Sequence, residues 1–198
     1  MHTKVFRIAA LLFLIAFFAM AIEQTATAAP VFNKLLLAPE GSTPPKDFSY
    51  PALDGKKRTL TEFRGKVVFL VFFATWCPLC NEEMPALVRL YEKYKERGLT
   101  VVAVSIDRAP VSLVKAWSAS KKLTYPVLHD QKFASRLRYN IRNVPTIYVL
   151  DRDLNLAAWT VGRVSWKGKK ATALIEKLLE KRTTSSQWPP GKKTASLR

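Results

Sequence analysis

The sequence predicts an α/β domain, and three observations carry that prediction. Two continuous apolar runs, Lys66–Phe73 and Leu99–Ile106, are too uniformly hydrophobic for half-exposed strands and suit strands covered on both faces. Between them Met84, Leu87, Val88 and Tyr91 recur at helical spacing, with Glu92, Lys93, Lys95, Glu96 and Arg97 largely on the other side. Cys77 and Cys80, the only two cysteines of the 198-residue chain, fall where the first run gives way to that helix.

The elements follow in chain order. His2, Lys4 and Arg7 precede an apolar run from Ile8 to Ile22, and Ala26-Thr27-Ala28 then offers a small-x-small cleavage site. Residues 1–28 therefore read as an export signal, with an uncleaved membrane anchor as the rival, although the run is short for a bilayer span. Residues 29–43 read as a linker and 44–180 as the folded domain. Short alternating segments around Asp54-Gly55 predict a hairpin over Pro44–Leu60. The first buried strand and its helix end at Gly98, a helix stop. After the strand Leu99–Ile106, Val111, Val114, Lys115 and Trp117 give a helical pattern to about Lys122. Thr124–Leu128 reads as a short strand and Asp130 as the cap of a helix through Tyr139. Strands Thr146–Asp151 and Leu156–Val161 flank a turn at Arg152-Asp153, and Ala171–Leu179 forms the last helix. From Lys181 to Arg198 the chain carries basic but no acidic residues, Ser/Thr runs and Pro189-Pro190, a composition that predicts disorder.

The cysteine pair points to chemistry. A disulfide across two intervening residues closes a very small loop and constrains the unfolded chain little. A Cys-x-x-Cys pair opening a helix is therefore a working redox couple or part of a metal site rather than a staple. Pro78 suits the first helical position, which puts Cys77 near the N-cap. There its sulfur meets free backbone N–H groups and the positive end of the helix dipole, which favour thiolate. Cys77 is thus expected to be the exposed, attacking sulfur and Cys80, one turn further in, the shielded resolving thiol. Glu82 and Glu83 are placed in the first turn, where carboxylates complement the dipole. Glu83, three residues after Cys80 and on its face, is also a candidate for moving the proton on or off Cys80.

Those residues carry a resemblance. Gly65-Lys66, the apolar strand, Phe72, Ala74-Thr75-Trp76-Cys77, Cys80 and Glu83-Met84-Pro85 resemble the thioredoxin-like, extracytoplasmic thiol–disulfide oxidoreductases of the TlpA/ResA type. Asn143-Val144-Pro145-Thr146, entering an apolar strand, resembles that family's cis-proline loop. The resemblance spans about Pro44 to Leu179. It implies a thioredoxin-like fold: a central mixed sheet flanked by helices, with an N-terminal β-hairpin and a central insert at about Arg108–Asp130. It further implies catalysis by Cys77, Cys80 and Glu83, and substrate binding at Trp76, Val144 and Pro145. Pro145 would form a wall facing Cys77 and leave the backbone of Val144 to pair with an extended substrate segment. No cofactor is implied beyond the redox-active Cys77–Cys80 disulfide, and no metal. The implied partners are exported proteins with disulfides, such as apocytochrome c or the copper-site cysteines of an oxidase, and a membrane thiol-electron donor. The family's cytochrome-maturation branch usually reads Gly-Ala-Pro-Glu at the proline loop, which this chain does not match. The buried acid that thioredoxin carries six residues before its first cysteine is replaced here by Val71.

Charge and compartment narrow the reading. The net charge is +17, and removing residues 1–28 lowers it by only one. Such an excess suits a solvated basic surface, acidic partners or an anionic membrane surface. Nucleic acid is excluded, since an exported chain without a nucleic-acid motif has no use for it. Localisation is expected to be extracytoplasmic, in a bacterial periplasm, secreted or N-terminally anchored. A peroxiredoxin reading fails, because the pattern Pro-x-x-x-Thr-x-x-Cys meets Leu70 and Ala74 here. The alternative of another class is a copper-binding metallochaperone on the same fold, with His129 offered as a third ligand beside the two thiolates. His129 is otherwise left without a role.

Overall fold

The computed structural model describes residues 34–39 and 45–181. The expected export segment, most of the linker and the basic tail beyond Lys181 lie outside the described residues. Among the described residues no helix is long and apolar enough to cross a membrane.

A six-stranded mixed sheet forms the core, in the order β1-β8-β7-β4-β5-β6. Its centre is β4 (Val67–Phe73), whose seven residues are all buried. Burial of each such large apolar side chain is worth about 1.5–3 kcal/mol relative to exposure, which is why a run with no polar alternation settles between two layers. Strand β5 (Leu99–Ser105) pairs parallel to β4, and β6 (Val127–His129) pairs parallel to β5. Strand β7 (Thr146–Leu150) runs antiparallel to β4, and β8 (Leu156–Val161) antiparallel to β7. Helix α1 (Pro78–Tyr94) follows β4, α2 (Val111–Ser120) joins β5 to β6, the short α3 (Ser135–Arg138) precedes β7, and α4 (Lys169–Glu180) closes the domain. This is the thioredoxin-like α/β fold that the resemblance implied, with α2 and β6 as the insert.

The hairpin is present as β2 (Ser49–Pro51) and β3 (Lys57–Thr59), and a bridge from Ala52 to Leu128 ties it to β6. Two expectations shift. Leu36–Leu37, inside the stretch read as linker, forms β1 at the sheet edge against β8. The run Leu35-Leu36-Leu37 is apolar enough to pair there, and Leu35 is buried. The helix after Asp130 begins only at Ser135: Asp130 still accepts the N–H groups of Ala134 and Ser135, at 3.0 and 2.7 Å, but across an intervening turn.

Gly98 ends the turn after α1 at a φ of +93°, a conformation that L side chains rarely adopt. The Arg152 guanidinium lies against it and donates to the carbonyls of Gly65, Arg97 and Leu179. That residue fixes the end of the sheet where β4 and β5 begin. The opposite end, where both strands finish, carries the cysteines.

Candidate active site

The register of two parallel strands builds the site. Val67 pairs with Leu99 and Phe73 with Ser105, so the offset stays constant to the strand ends. Ile106 N–H then donates to the Phe73 carbonyl at 2.9 Å. Two residues past each strand, Thr75 and Asp107 therefore meet. The Asp107 carboxylate, 1% exposed, accepts the Thr75 N–H at 3.0 and 3.2 Å, the Thr75 hydroxyl at 2.7 Å and the Ser105 hydroxyl at 2.6 Å. The turn from β4 into α1 is tied to the end of β5 by a single side chain.

Cys77 is the N-cap of α1 and Pro78 its first residue, as the sequence predicts. The Cys77 sulfur accepts the Cys80 N–H at 3.2 Å, satisfying one of the orphan amides of the helix start. Both cysteines are free thiols. Their order of access follows the expectation, but its scale does not: Cys77 is only 5% exposed and Cys80 not at all. The cis-proline loop meets Cys77 through the Val144 carbonyl. The Val144–Pro145 peptide is cis, and Cys77 donates its S–H to the Val144 carbonyl at 3.4 Å. That carbonyl, expected to await a substrate, is thus engaged by the thiol. Trp76 is the exposed member of the motif, at 69%, with Leu79 beside it at 39%.

Cys80 is held strongly as the thiol. Burial raises its pKa most, the hydrogen bond with Cys77 adds to it, and the charges of Cys77 and Asp107 act in the same direction. Glu83 is buried too, at 2%, but its place differs from the expectation. The first turn of α1 holds no acid; Glu82 and Glu83 fall in the second, beyond the reach of a dipole effect that fades within one turn. Glu83 accepts the indole N–H of Trp166 at 2.5 Å, and Trp166 packs edge-on against Phe69. Burial raises the Glu83 pKa, opposed by that indole, by the nearby Arg163 charge and by a backbone bond from Val164. Glu83 and Glu82 line a cavity of about 780 Å³ with Leu79, Arg89, Arg163 and Trp166. Glu82 pairs there with Arg163, both exposed.

Three contributors escaped the sequence reading: Asp107, Asn81 and Trp117. Asn81 donates to the Cys77 carbonyl at 3.0 Å and accepts the indole N–H of Trp117 at 3.2 Å. Trp117 in turn stacks on Phe73 with centroids 5.0 Å apart. The signal available for Asp107 was an acid two residues past the largely apolar strand β5, which runs parallel to the cysteine strand.

His129 is buried, and its Nε2 lies 2.8 Å from the Asp107 carbonyl. The imidazole is engaged with the backbone at that nitrogen. Among the described residues no cluster of three or more His, Cys, Asp or Glu has the spacing to hold a metal ion. Thr75 sits one position too late for a peroxide-binding hydroxyl, and its hydroxyl is committed to Asp107.

Comparison with known proteins places the chain. The model described as the AhpC/TSA family matches residues 42–158, more than half of the sequence. This chain belongs to that family. It is 42% identical over 114 residues to the thioredoxin-like protein YneN of Bacillus subtilis, covering 57% of this chain and 65% of that protein. It is 34% identical over 139 residues to the thiol-disulfide oxidoreductase ResA of Bacillus thuringiensis, covering 69% of this chain and 75% of that one. Among solved structures it is similar to a putative thiol:disulfide interchange protein DsbE from Chlorobium tepidum, with a TM-score of 0.64, 27% identity, and coverage of 70% and 96%. The free Cys-x-x-Cys pair at the helix start and these relatives agree: the chain is a thiol–disulfide oxidoreductase.

Proposed function

We propose that this oxidoreductase reduces disulfides of exported proteins through Cys77 and Cys80; its relatives named thiol-disulfide oxidoreductase ResA and the Cys-x-x-Cys motif support thiol–disulfide exchange, and the export segment supports exported substrates. The observation that carries the reading is the asymmetry of the pair: one sulfur at the helix N-cap beside the cis-proline loop, the other sealed behind it. Cys77 thiolate attacks a substrate disulfide, forming a mixed disulfide and releasing one substrate thiolate. Cys80 then attacks the Cys77 sulfur, closes the Cys77–Cys80 disulfide and expels the second substrate sulfur; the proton lost by Cys80 balances the one gained by that sulfur. A membrane thiol-electron donor returns two electrons and two protons to the pair. Trp76 and Leu79 supply the exposed apolar rim against which a substrate segment packs, and Val144 and Pro145 its far side.

Glu83 acts as the proton handler on the cavity side: a buried carboxyl with a raised pKa holds or gives up a proton nearer neutrality than an ordinary glutamate. The compartment is extracytoplasmic, supported by the apolar segment Ile8–Ile22 and its small-x-small site. By the family resemblance, the substrates are the cysteine pairs of apocytochrome c or of an oxidase copper site. A copper-delivery role is not favoured, because the Nε2 of its offered third ligand, His129, is occupied by the Asp107 carbonyl.

Trapping tests the reading. Cys80→Ala is expected to accumulate mixed disulfides through Cys77, visible on non-reducing gels, and Cys77→Ala none. Equal trapping by both variants sinks the assigned roles.

A further inference from the structure

The end of the sheet that carries Cys77 is charged differently from the opposite end. Strands β4, β5 and β6 run parallel and finish there; the antiparallel β7 starts there and β8 finishes there. The connections at that end are residues 74–77, 106–110, 130–145 and 162–168. Their acids, Asp107 and Asp130, are buried, the first on Thr75 and Ser105, the second on the amides of Ala134 and Ser135. Their bases are exposed: Arg108 after β5, Lys132, Arg136 and Arg142 between β6 and β7, and Arg163 and Lys167 after β8. Arg163 pairs with Glu82, and Arg138 donates to the Asp47 carbonyl. Among the described residues Arg108, Lys132, Arg136 and Arg142 have no carboxylate partner. At the opposite end the signs are mixed and paired, Lys95 with Glu92 and Arg97 with Glu176.

The same connections, with the first turns of α1 and α2, carry Trp76, Leu79, Val111, Leu113 and Leu137 exposed. Among the described residues Leu37 is the one strongly exposed large apolar side chain found elsewhere. Short links join the basic residues to the redox pair. Arg142 lies two residues before Val144, whose carbonyl meets Cys77 at 3.4 Å. Arg108 follows Asp107, which holds Thr75, and its carbonyl accepts from Gln131, the neighbour of Lys132, at 3.4 Å.

We propose that this end of the domain docks an acidic, partly apolar protein segment, so that the preferred substrates carry Asp or Glu beside their reactive cysteines. The inference rests on the proposed roles of Cys77 and Cys80 and names the class of substrate they serve. Cations without a carboxylate inside the domain are free to take one from a partner. Complementary charge speeds encounter and fixes register more than it adds affinity, and the exposed apolar side chains supply non-directional contact area. An anionic membrane would meet the same charges. It would also lie over the face on which Cys77 must meet a disulfide, so the protein segment is the occupant compatible with turnover. The docked disulfide takes two electrons and two protons from the Cys77 and Cys80 thiols, which close their own disulfide.

The experiment compares two synthetic peptides that share one disulfide ring and differ in its flanks, Asp and Glu in one, Lys and Arg in the other. Second-order rates of their reduction by the reduced full chain are measured in single turnover. At low ionic strength the acidic peptide is expected to react about tenfold faster, the gap closing as salt is added. Lys132→Glu combined with Arg142→Glu is expected to cut that preference to about twofold or less. The same charge change at the opposite end, Lys66→Glu with Lys122→Glu, is expected to leave most of it in place, which separates docking from net charge. Equal rates for the two peptides, or an equal loss of preference in both double variants, overturns the proposal. So does slowing of both reductions by phosphatidylglycerol vesicles in the unsubstituted protein but not in Lys132→Glu/Arg142→Glu, the mark of a lipid-binding face. Reduction of neither peptide, with no mixed disulfide on Cys77, instead overturns the roles on which the proposal rests.

Discussion

The two buried carboxylates beside the cysteine pair are held in opposite ways. Asp107 is saturated by the amide and hydroxyl of Thr75 and the hydroxyl of Ser105, all within a strand-end network. Glu83 leans on one indole and one backbone amide, faces a cavity, and has its pKa raised by burial. Donors lower the cost of a buried charge; their scarcity raises it. One acid holds a turn through its hydrogen bonds; the other, with its pKa raised by burial, faces a cavity. The difference lies in the number of hydrogen bonds, since both side chains are almost fully buried.

That contrast can be broken from either side. Asp107→Ala orphans the Thr75 and Ser105 donors at once; at about 1–3 kcal/mol for each buried polar group left unpaired, it is expected to destabilise the fold by about 3 kcal/mol or more in a urea melt. Glu83→Gln should cost far less stability and instead slow exchange, on the order of tenfold, in a steady-state insulin-reduction or peptide-disulfide assay. If the two variants exchanged these effects, the division of labour would be wrong. Trp166→Phe keeps the packing on Phe69 and removes the indole donor, costing about 1 kcal/mol and raising the Glu83 pKa further. Stability against pH sharpens the point. The folded state binds the Glu83 proton more tightly than the unfolded chain, so its contribution is present at low pH and is lost as pH rises through the raised folded value. Denaturant melts of Glu83→Gln across that range are expected to show a smaller loss. Glu82→Gln, which breaks an exposed ion pair with Arg163, should change stability by less than about 1 kcal/mol.

Much of this was legible in the chain. The fully apolar β4, the helix spacing of Met84 and Leu87, and the position of Pro78 are local signals, and each led to the element observed. Glu83 was singled out by its spacing three residues after Cys80, and Pro145 through the resemblance of Asn143–Thr146 to a cis-proline loop far from the cysteines in sequence. What stayed hidden depended on register. Asp107 is visible in the chain as an acid just past an apolar strand, but only the constant offset between β4 and β5 brings it to Thr75. Trp117 and Asn81 meet for a similar reason, across the space between α1 and α2. The misplacement of Glu83 in the first turn came from counting the helix start loosely, and its burial against Trp166 required the far end of the domain.

The Val144 carbonyl carries a consequence for how partners are sorted. In the dithiol protein it is capped by the Cys77 S–H; once Cys77 enters a disulfide, that hydrogen is gone and the acceptor is left open. In the proposed cycle the oxidised protein therefore advertises a vacant hydrogen-bond position that the reduced protein hides from itself. A net hydrogen bond of about 0.5–1.5 kcal/mol corresponds to roughly two- to tenfold in affinity. An extended segment of the electron donor would then dwell longer on the spent form, and the recharged form would shed it, a self-inhibiting door that reads the redox state of the sulfur behind it.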